Sequence, residues 1–481
     1  MLKSGSEYLE QLVDGRQIYV GSEKVTDVTT HPYFAGTAQT VAAIYDIKAN
    51  DAALTAKEDG DVFSAYWIRP KSAKDLLKRT MTHKAIADVT CGLFGRSPDH
   101  VGGLLTGLAM KPDVLQPDYR ENFLSFWKEL RRVDGYPVFA AIPPAGIRAH
   151  NFGQNERRRD PGLRVIREED DGVVISGMKM MATAAAYATE ILISNFIPLA
   201  PEFKDYAITC SIPCNAPGLA LWSREPYARG IKHRVDYPLS DAYDEGDFVI
   251  VCDEVKVPWE RVFVHNDTEL SRACWIQSPA NCFSNHQSNV RFWSKMSLLA
   301  GLAKRVAEVS GNIKIPAVQE TLGRLAAYEG AIAGMVHGQV QGLETSFPGG
   351  DEGYVTYNRR YMYAALNWCQ ENHTNIIDII RELAGGNPLL MPADASALEN
   401  KELRETFEDF FHAPGTDALS RMKLMKLVWD LTGSEFAGRN QLYEKFYAGA
   451  SFVVRGQSYR EAPWSTFEGA AQSILSSVAL P

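Results

Sequence analysis

The chain has 481 residues, 45% of them hydrophobic and 23% charged, a balance that suits two or three folded domains around a sizeable core. Its formal net charge is -9, and no basic run stands out against it, which argues against a nucleic-acid surface. No stretch of about 18 uncharged apolar residues occurs, so a membrane span is not expected.

The opening MLKSGSEYLEQLVDG carries Glu7, Glu10 and Asp14 where a secretory leader needs an apolar run. It reads as the first helix of a cytoplasmic protein. To about residue 140 the patterning is mostly helical. KSAKDLLKRTMTHKAIADVTCGLFG predicts a helix with Leu76, Leu77 and Met81 along one side. GRSPDH (95–100) then reads as a turn feeding a helix, with Gly95 letting the backbone bend and Arg96 and His100 free to face a ligand. From about 140 to 270 the texture changes. VVISGMKM, AITCSIPC and DFVIVCDEVKVP are rich in Val and Ile and bounded by Gly, Pro, Asp and Asn, as strands are. From about 287 helices return, and in RMKLMKLVWDL the residues Leu424, Leu427, Val428 and Leu431 predict a buried helical stripe. SFPGGDEG (346–353) reads as a loop between helices.

Helices, a block of strands, then helices is not the alternation of a doubly wound sheet. No GxGxxG follows a strand and no GxxxxGK[ST] occurs, so neither a Rossmann nicotinamide site nor a P-loop is expected. GxSxG and HExxH are absent as well. The seven cysteines (91, 210, 214, 252, 274, 282 and 369) form no CxxC pair and read as reduced thiols. Cys274, Cys282 and His286 are spaced by eight and four, wider than structural zinc pairs. They read as buried thiols and a hydrogen-bonded histidine, so no metal is expected. PPAGIRAHN (143–151), with Arg148 and His150, is either a domain linker or a loop whose free N–H groups approach a phosphate. MMATAAAYATE (180–190) is either a tight strand–turn or a surface of small residues where Thr183 meets the edge of a flat ring.

Five stretches, EYLEQLVDGRQIYVGSEKVTDVTTHP (7–32), GLFGRSPDH (92–100), DGVVISGMKMMAT (171–183), DYPLSDAYDEGDFVIVCDEVKVPWERVFVH (236–265) and SRMKLMKLVWDLTGSEFAGRNQLYEKFYAG (420–449), run in order along nearly the whole chain. They resemble the oxygenase component of two-component flavin-dependent monooxygenases, the 4-hydroxyphenylacetate 3-monooxygenase family. The resemblance implies an α+β, acyl-CoA-dehydrogenase-like fold: a helical N-terminal domain (1–140), a middle β-barrel (141–270) and a C-terminal helical bundle (271–481). It also implies a homotetramer, a small aromatic substrate, O2 as co-substrate, and FAD as diffusible FADH2 from a separate NAD(P)H:flavin reductase. The expected chemistry is attack by a phenol's ortho carbon on the distal oxygen of a C4a-hydroperoxyflavin. No nucleic-acid or membrane partner is expected.

Carried onto matching positions, the resemblance implies catalytic roles for Arg96, beside flavin and substrate, and for His100. His100 stands where the family often has a tyrosine, and an imidazole can also act as a base near neutral pH. The implied FAD contacts are Arg96, the loop Pro144, Ala145, Gly146, Ile147 and Arg148, then Thr183, and Tyr447, Ala448, Gly449 and Ala450. The implied substrate contacts are Arg96, His100, and Val138 or Phe139. One of the last two replaces a histidine that contacts the phenol in the family, and the family's Asp–Arg pair has become Ile147–Arg148. These departures point to an aromatic or heteroaromatic substrate other than 4-hydroxyphenylacetate. Trp259 and Arg261 are expected to be structural. Two alternatives remain: an FAD/iron–sulfur 4-hydroxybutyryl-CoA-dehydratase-like enzyme using Cys274, Cys282 and His286, although a cysteine pair near residues 91–103 is missing, and a non-catalytic paralogue.

Overall fold

The computed structural model describes residues 2–144, 160–345 and 353–478. Ala145, Gly146, Ile147 and Arg148 lie outside the described residues, as do His150 and most of the 346–353 stretch.

The chain runs helices, strands, helices. Gly5–Leu12 is the first helix. Its start is set by Ser4, whose hydroxyl accepts the Glu7 N–H while the Glu7 carboxylate accepts the Ser4 N–H at 2.7 Å, a reciprocal cap that satisfies otherwise orphaned donors. The Ala73–Val89 helix forms with Ser72 as its cap, but its buried face is not the expected stripe. Leu76 is buried, whereas Leu77 and Met81 are 39% and 45% exposed, and the inward positions include Arg79, Thr80, His83 and Ile86. This face packs on the long Ala280–Val309 helix, where Thr80 meets His286 at 2.9 Å, while Arg79 donates to the Tyr66 and Ile68 carbonyls and His83 pairs with Asp99. Every residue of the Pro98–Ala109 helix is buried. Proline at its first position has the right φ and leaves no N–H to satisfy. A Cβ on Gly107 would stand 2.5 Å from the backbone nitrogen of Ala280, so glycine is what lets these two helices touch.

Two sheets make the middle layer. One has six strands in the order Glu23–Val25, Ile18–Val20, Leu219–Ser223, Phe248–Pro258, Gly172–Lys179 and Arg164–Glu169. The other has four: Val262–Val264, Thr209–Pro213, Glu190–Ile193 and Pro137–Ala140. Residues 18–25 and 137–140 thus contribute strands to this layer from outside 141–270. Val173, Ile175, Ile191, Ile193, Ile212 and Ile250 pack in one core spanning both sheets. Each such side chain contributes about 1.5–3 kcal/mol on burial.

The C-terminal part is a bundle containing Ala280–Val309, Pro316–Gln341, Arg359–Ala384, Ala418–Thr432 and Glu435–Phe446. In Ala418–Thr432, Val428 and Leu431 are buried as expected. Leu424 and Leu427 are only half-buried, and Met422 and Met425 take the inward positions. Inside the bundle Glu444 accepts both guanidinium nitrogens of Arg291, at 2.7 and 2.8 Å, and also pairs with Lys295. Burial opposes the Glu444 charge, but the two cations outweigh it and hold the carboxyl well below the usual range, while burial pushes the Lys295 amine down to about 8. No helix among the described residues is long and apolar enough to cross a membrane.

Candidate active site

A cavity of about 750 Å³ opens where the Pro98–Ala109 helix, the Pro137–Ala140 strand, the Ala280–Val309 helix and the Glu435–Phe446 helix converge. This size and a mostly apolar wall are those of a small-molecule site. Of the expected site residues, Arg96, His100, Val138, Phe139, Thr183, Tyr447, Ala448 and Gly449 line it. Pro144 and Ala450 are described but do not line the cavity. Ala145 to Arg148 are outside the described residues.

Arg96 sits just before the helix start. Its Nη2 donates to the Tyr447 carbonyl at 2.9 Å, its Nη1 donates to His100 Nε2, and its guanidinium lies 5.4 Å from the Phe139 ring centroid. His100 is buried, and its imidazole pKa is pushed well below the ordinary value, first by burial and then by the Arg96 charge. Neutral His100 therefore offers a lone pair at neutral pH rather than a charge. Phe139, whose ring centroid is 6.1 Å from that of His100, is the one of the two candidate strand residues that meets Arg96 and His100. Val138 is packed into the core of the β layer.

Thr183 lines the cavity, but its hydroxyl donates to Asp247 Oδ1 at 2.7 Å. A hydroxyl has one donor and two acceptor lone pairs, so what Thr183 can offer a ligand is an acceptor. Asp247 is itself clamped by Arg439, at 2.8 and 2.9 Å, and by Arg224 at 3.0 Å. Burial opposes its charge, yet the two guanidinium groups prevail and hold the carboxyl well below the usual range.

Four residues that organise the site were not singled out from the sequence. Glu245 is fully buried. Its Oε2 accepts the backbone N–H groups of Gly95 and Arg96, at 2.9 and 2.7 Å, and its Oε1 accepts Arg439 at 2.6 Å. It thus ties the GRSPDH turn to the C-terminal bundle. Glu245 and Asp247 lie in DYPLSDAYDEGD, the start of the 236–265 stretch. The run of carboxylates was a signal, but its cation, Arg439, is more than 190 positions away. Tyr443 stacks on Tyr447 at 5.5 Å and lies under the guanidinium groups of Arg96, Arg439 and Arg291. The buried hydroxyls of Tyr443 and Tyr447 have no hydrogen-bond partner among the described residues.

Gly95 is needed for a reason other than a bend. A Cβ there would stand 2.2 Å from the Tyr443 ring and hydroxyl, well inside contact distance, so the aromatic wall packs directly on the glycine. Gly95→Ala is expected to cost about 1–3 kcal/mol through overpacking, read as a lower urea midpoint. An unchanged midpoint would mean that Tyr443 can move aside freely.

Among the described residues no group of three or more His, Cys, Asp or Glu side chains is arranged to hold a metal ion. Cys274 is buried in an apolar cluster, Cys282 faces Thr356 and the Tyr357 carbonyl, and His286 is stacked 3.5 Å from Tyr357 between Thr80 and Gln339. Each of the three thus has partners within the protein, Cys282 and His286 both against Tyr357.

Known proteins resemble the chain over nearly its whole length. The 4-hydroxyphenylacetate 3-hydroxylase N-terminal family model matches residues 4–264, and its C-terminal counterpart matches 271–476. The oxygenase component of a 4-nitrophenol 2-monooxygenase from Rhodococcus sp. is 30% identical over 465 residues, covering 95% of this chain and 88% of that protein. The crystal structure of the oxygenase component of 4-hydroxyphenylacetate 3-monooxygenase complexed with FAD and 4-hydroxyphenylacetate superposes with a TM-score of 0.91 at 27% identity, covering 99% of this chain and 98% of the other. An archaeal 4-hydroxybutyryl-CoA dehydratase from N. maritimus gives a TM-score of 0.88 at 19% identity, covering 100% of this chain and 96% of the other, and so shares the fold.

Proposed function

Since the chain belongs to the 4-hydroxyphenylacetate 3-hydroxylase family, we propose that it is the oxygenase component of an FAD-dependent monooxygenase that hydroxylates a small phenol or heteroaromatic ring, served by a separate NAD(P)H:flavin reductase. The observation that carries this reading is the convergence of Arg96, His100, Phe139 and Thr183 on one cavity.

The residues present fit a flat flavin ring. Ala448 and Gly449 keep one wall low, and Met181 presents an exposed thioether from a left-handed backbone. The Tyr443 and Tyr447 hydroxyls and the Thr183 oxygen are polar groups with capacity to spare. Reduced FAD, when bound, supplies the activation of O2 and the oxygen atom transferred to the ring. Arg96 donates to the phenol oxygen and stabilises the negative charge that develops on it. His100 Nε2, whose lone pair meets Arg96 Nη1 without substrate, accepts the hydrogen bond of the same hydroxyl once Nη1 has turned to the phenol oxygen. Phe139 and Phe196, edge to face at 5.3 Å, exclude water around the substrate ring.

With Phe139 in place of a polar group, this wall recognises the ring by contact rather than by a hydrogen bond, which supports a substrate other than 4-hydroxyphenylacetate. Association of copies, as a homotetramer, is part of the same reading. The Trp464–Ser477 helix has no buried residue, and its Ile474 and Leu475 are 68% and 65% exposed, apolar surface that a neighbouring copy would cover.

Supplying the protein with FADH2 from a reductase and screening phenols and nitrogen heterocycles under 18O2 tests the reading. A product heavier by one labelled oxygen atom is expected. Failure to bind reduced FAD in an anaerobic titration would overturn it.

A further inference from the structure

We infer that Gln287, Ser97 and Asp99 form a buried, one-directional hydrogen-bond relay that locks His100 as its Nδ1–H tautomer, so that the site takes its substrate as an un-ionised hydroxyl donating to His100 Nε2. The relay can be followed bond by bond. A guanidinium has donors and no acceptor, and Arg96 Nη1 lies closest to His100 Nε2, with Nδ1 3.3 Å away and itself facing the Gln287 carbonyl oxygen, so Nε2 is the lone pair. His100 Nδ1 then carries the proton and donates to Gln287 Oε1 at 3.2 Å. With its oxygen so occupied, the Gln287 amide donates through Nε2 to Ser97 Oγ at 3.3 Å. Ser97 in turn donates to Asp99 Oδ1, and the other Asp99 oxygen accepts His83 Nδ1–H at 2.7 Å.

Both ends demand the same direction. Arg96 can only give hydrogen bonds and the Asp99 carboxylate can only receive them. Rotating the Gln287 amide would set an N–H against His100 Nδ1, force the imidazole proton onto Nε2, and aim it at a guanidinium. Asp99, His83, Gln287 and Ser97 are all 3% exposed or less and none of them lines the cavity, so water cannot repair a broken step among them and an unmet buried group is costly. The charged and titratable groups facing His100 are Arg96 from its own turn, Arg291 from the Ala280–Val309 helix and His83 from the Ala73–Val89 helix, with Asp99 beside it in sequence. The cations among them oppose a second proton on the ring.

Gln287 is thus a positioning residue: it touches no substrate, but it decides which imidazole nitrogen is the acceptor. A phenolate would bring a lone pair against the lone pair of Nε2, whereas a neutral hydroxyl that takes the place of Arg96 Nη1 at Nε2 donates to Nε2 and accepts from the displaced guanidinium. The substrate class is therefore phenols or hydroxy-heteroaromatics that are un-ionised at the working pH. This specificity rests on the monooxygenase reading, but the tautomer does not.

The tautomer is tested on the full chain, with neither flavin nor substrate, by 15N NMR of histidine-labelled protein, His100 being assigned by comparison with His100→Gln. A neutral ring protonated at Nδ1 from about pH 6 to 8 is expected. A cationic ring or an Nε2–H tautomer would overturn the inference, whatever the activity. In turnover, Gln287→Glu sets a carboxylate against Nδ1 and favours the imidazolium. Product formation near pH 7 should fall at least tenfold and recover as the pH rises. A loss of the same factor at every pH would indicate a merely structural glutamine and sink the positioning role.

Discussion

Arg96→Ala is expected to lose productive hydroxylation while the chain stays folded. Product formed per FADH2 oxidised is expected to fall about 10²–10³-fold, the usual consequence of removing one preorganised donor from a developing oxyanion. The fold survives because what Glu245 holds is the backbone N–H of residue 96, which alanine keeps. The side chain contributes the bond to the Tyr447 carbonyl and the contact with His100, and both are lost. Arg96→Lys should rescue little. An ammonium keeps the charge but not the planar fork that reaches the carbonyl and the imidazole together. Product measured by mass against O2 consumed, with circular dichroism as the fold control, checks this result. Undiminished coupling would remove Arg96 from the chemistry.

Glu245→Ala has the largest expected effect on stability. The deletion strands the N–H groups of Gly95 and Arg96 and one arm of the Arg439 guanidinium, all accepted by the same buried carboxylate. Removing one partner of a buried ion pair costs about 3–5 kcal/mol, and urea unfolding should show a loss of that order together with loss of turnover. Glu245→Gln keeps an acceptor for the backbone but turns an amide N–H₂ toward Arg439, so an intermediate loss is expected. The neighbouring Asp247 adds a pH dependence whose sign is set by its lowered pKa. Its folded value lies below its unfolded one, so its contribution is full above the unfolded value near pH 4 and is lost as the pH falls further. Wild-type protein should therefore lose stability on the acid side of about pH 4. A Glu245→Ala variant as stable as the parent would mean that the GRSPDH turn is held by something else.

Much of the architecture was legible because its signals are local. Short runs rich in Val and Ile, bounded by Gly, Pro and Asp, mark Gly172–Lys179 and Phe248–Pro258 as strands, and Pro98 followed by Asp99 marks a helix start. Periodicity misled where a helix face turned polar. Leu77 and Met81 looked inward by spacing, but the inner face of Ala73–Val89 meets the polar side of the Ala280–Val309 helix and carries Arg79, Thr80 and His83 instead.

The sequence by itself determined the order of helices and strands, the family, and Arg96 and His100 as a pair. Those two lie four residues apart across a helix start, so local geometry brings them together. Only the tertiary structure decided that Phe139 rather than Val138 faces them, that Gly95 exists to admit Tyr443, and that Glu245, Asp247, Arg439 and Gln287 hold the site in place. Each of these facts depends on partners brought together from more than one hundred residues apart, or on which side of a strand meets a distant helix. Such pairings follow no period along the chain, because they are set by how whole elements pack and not by the conformation of any one of them.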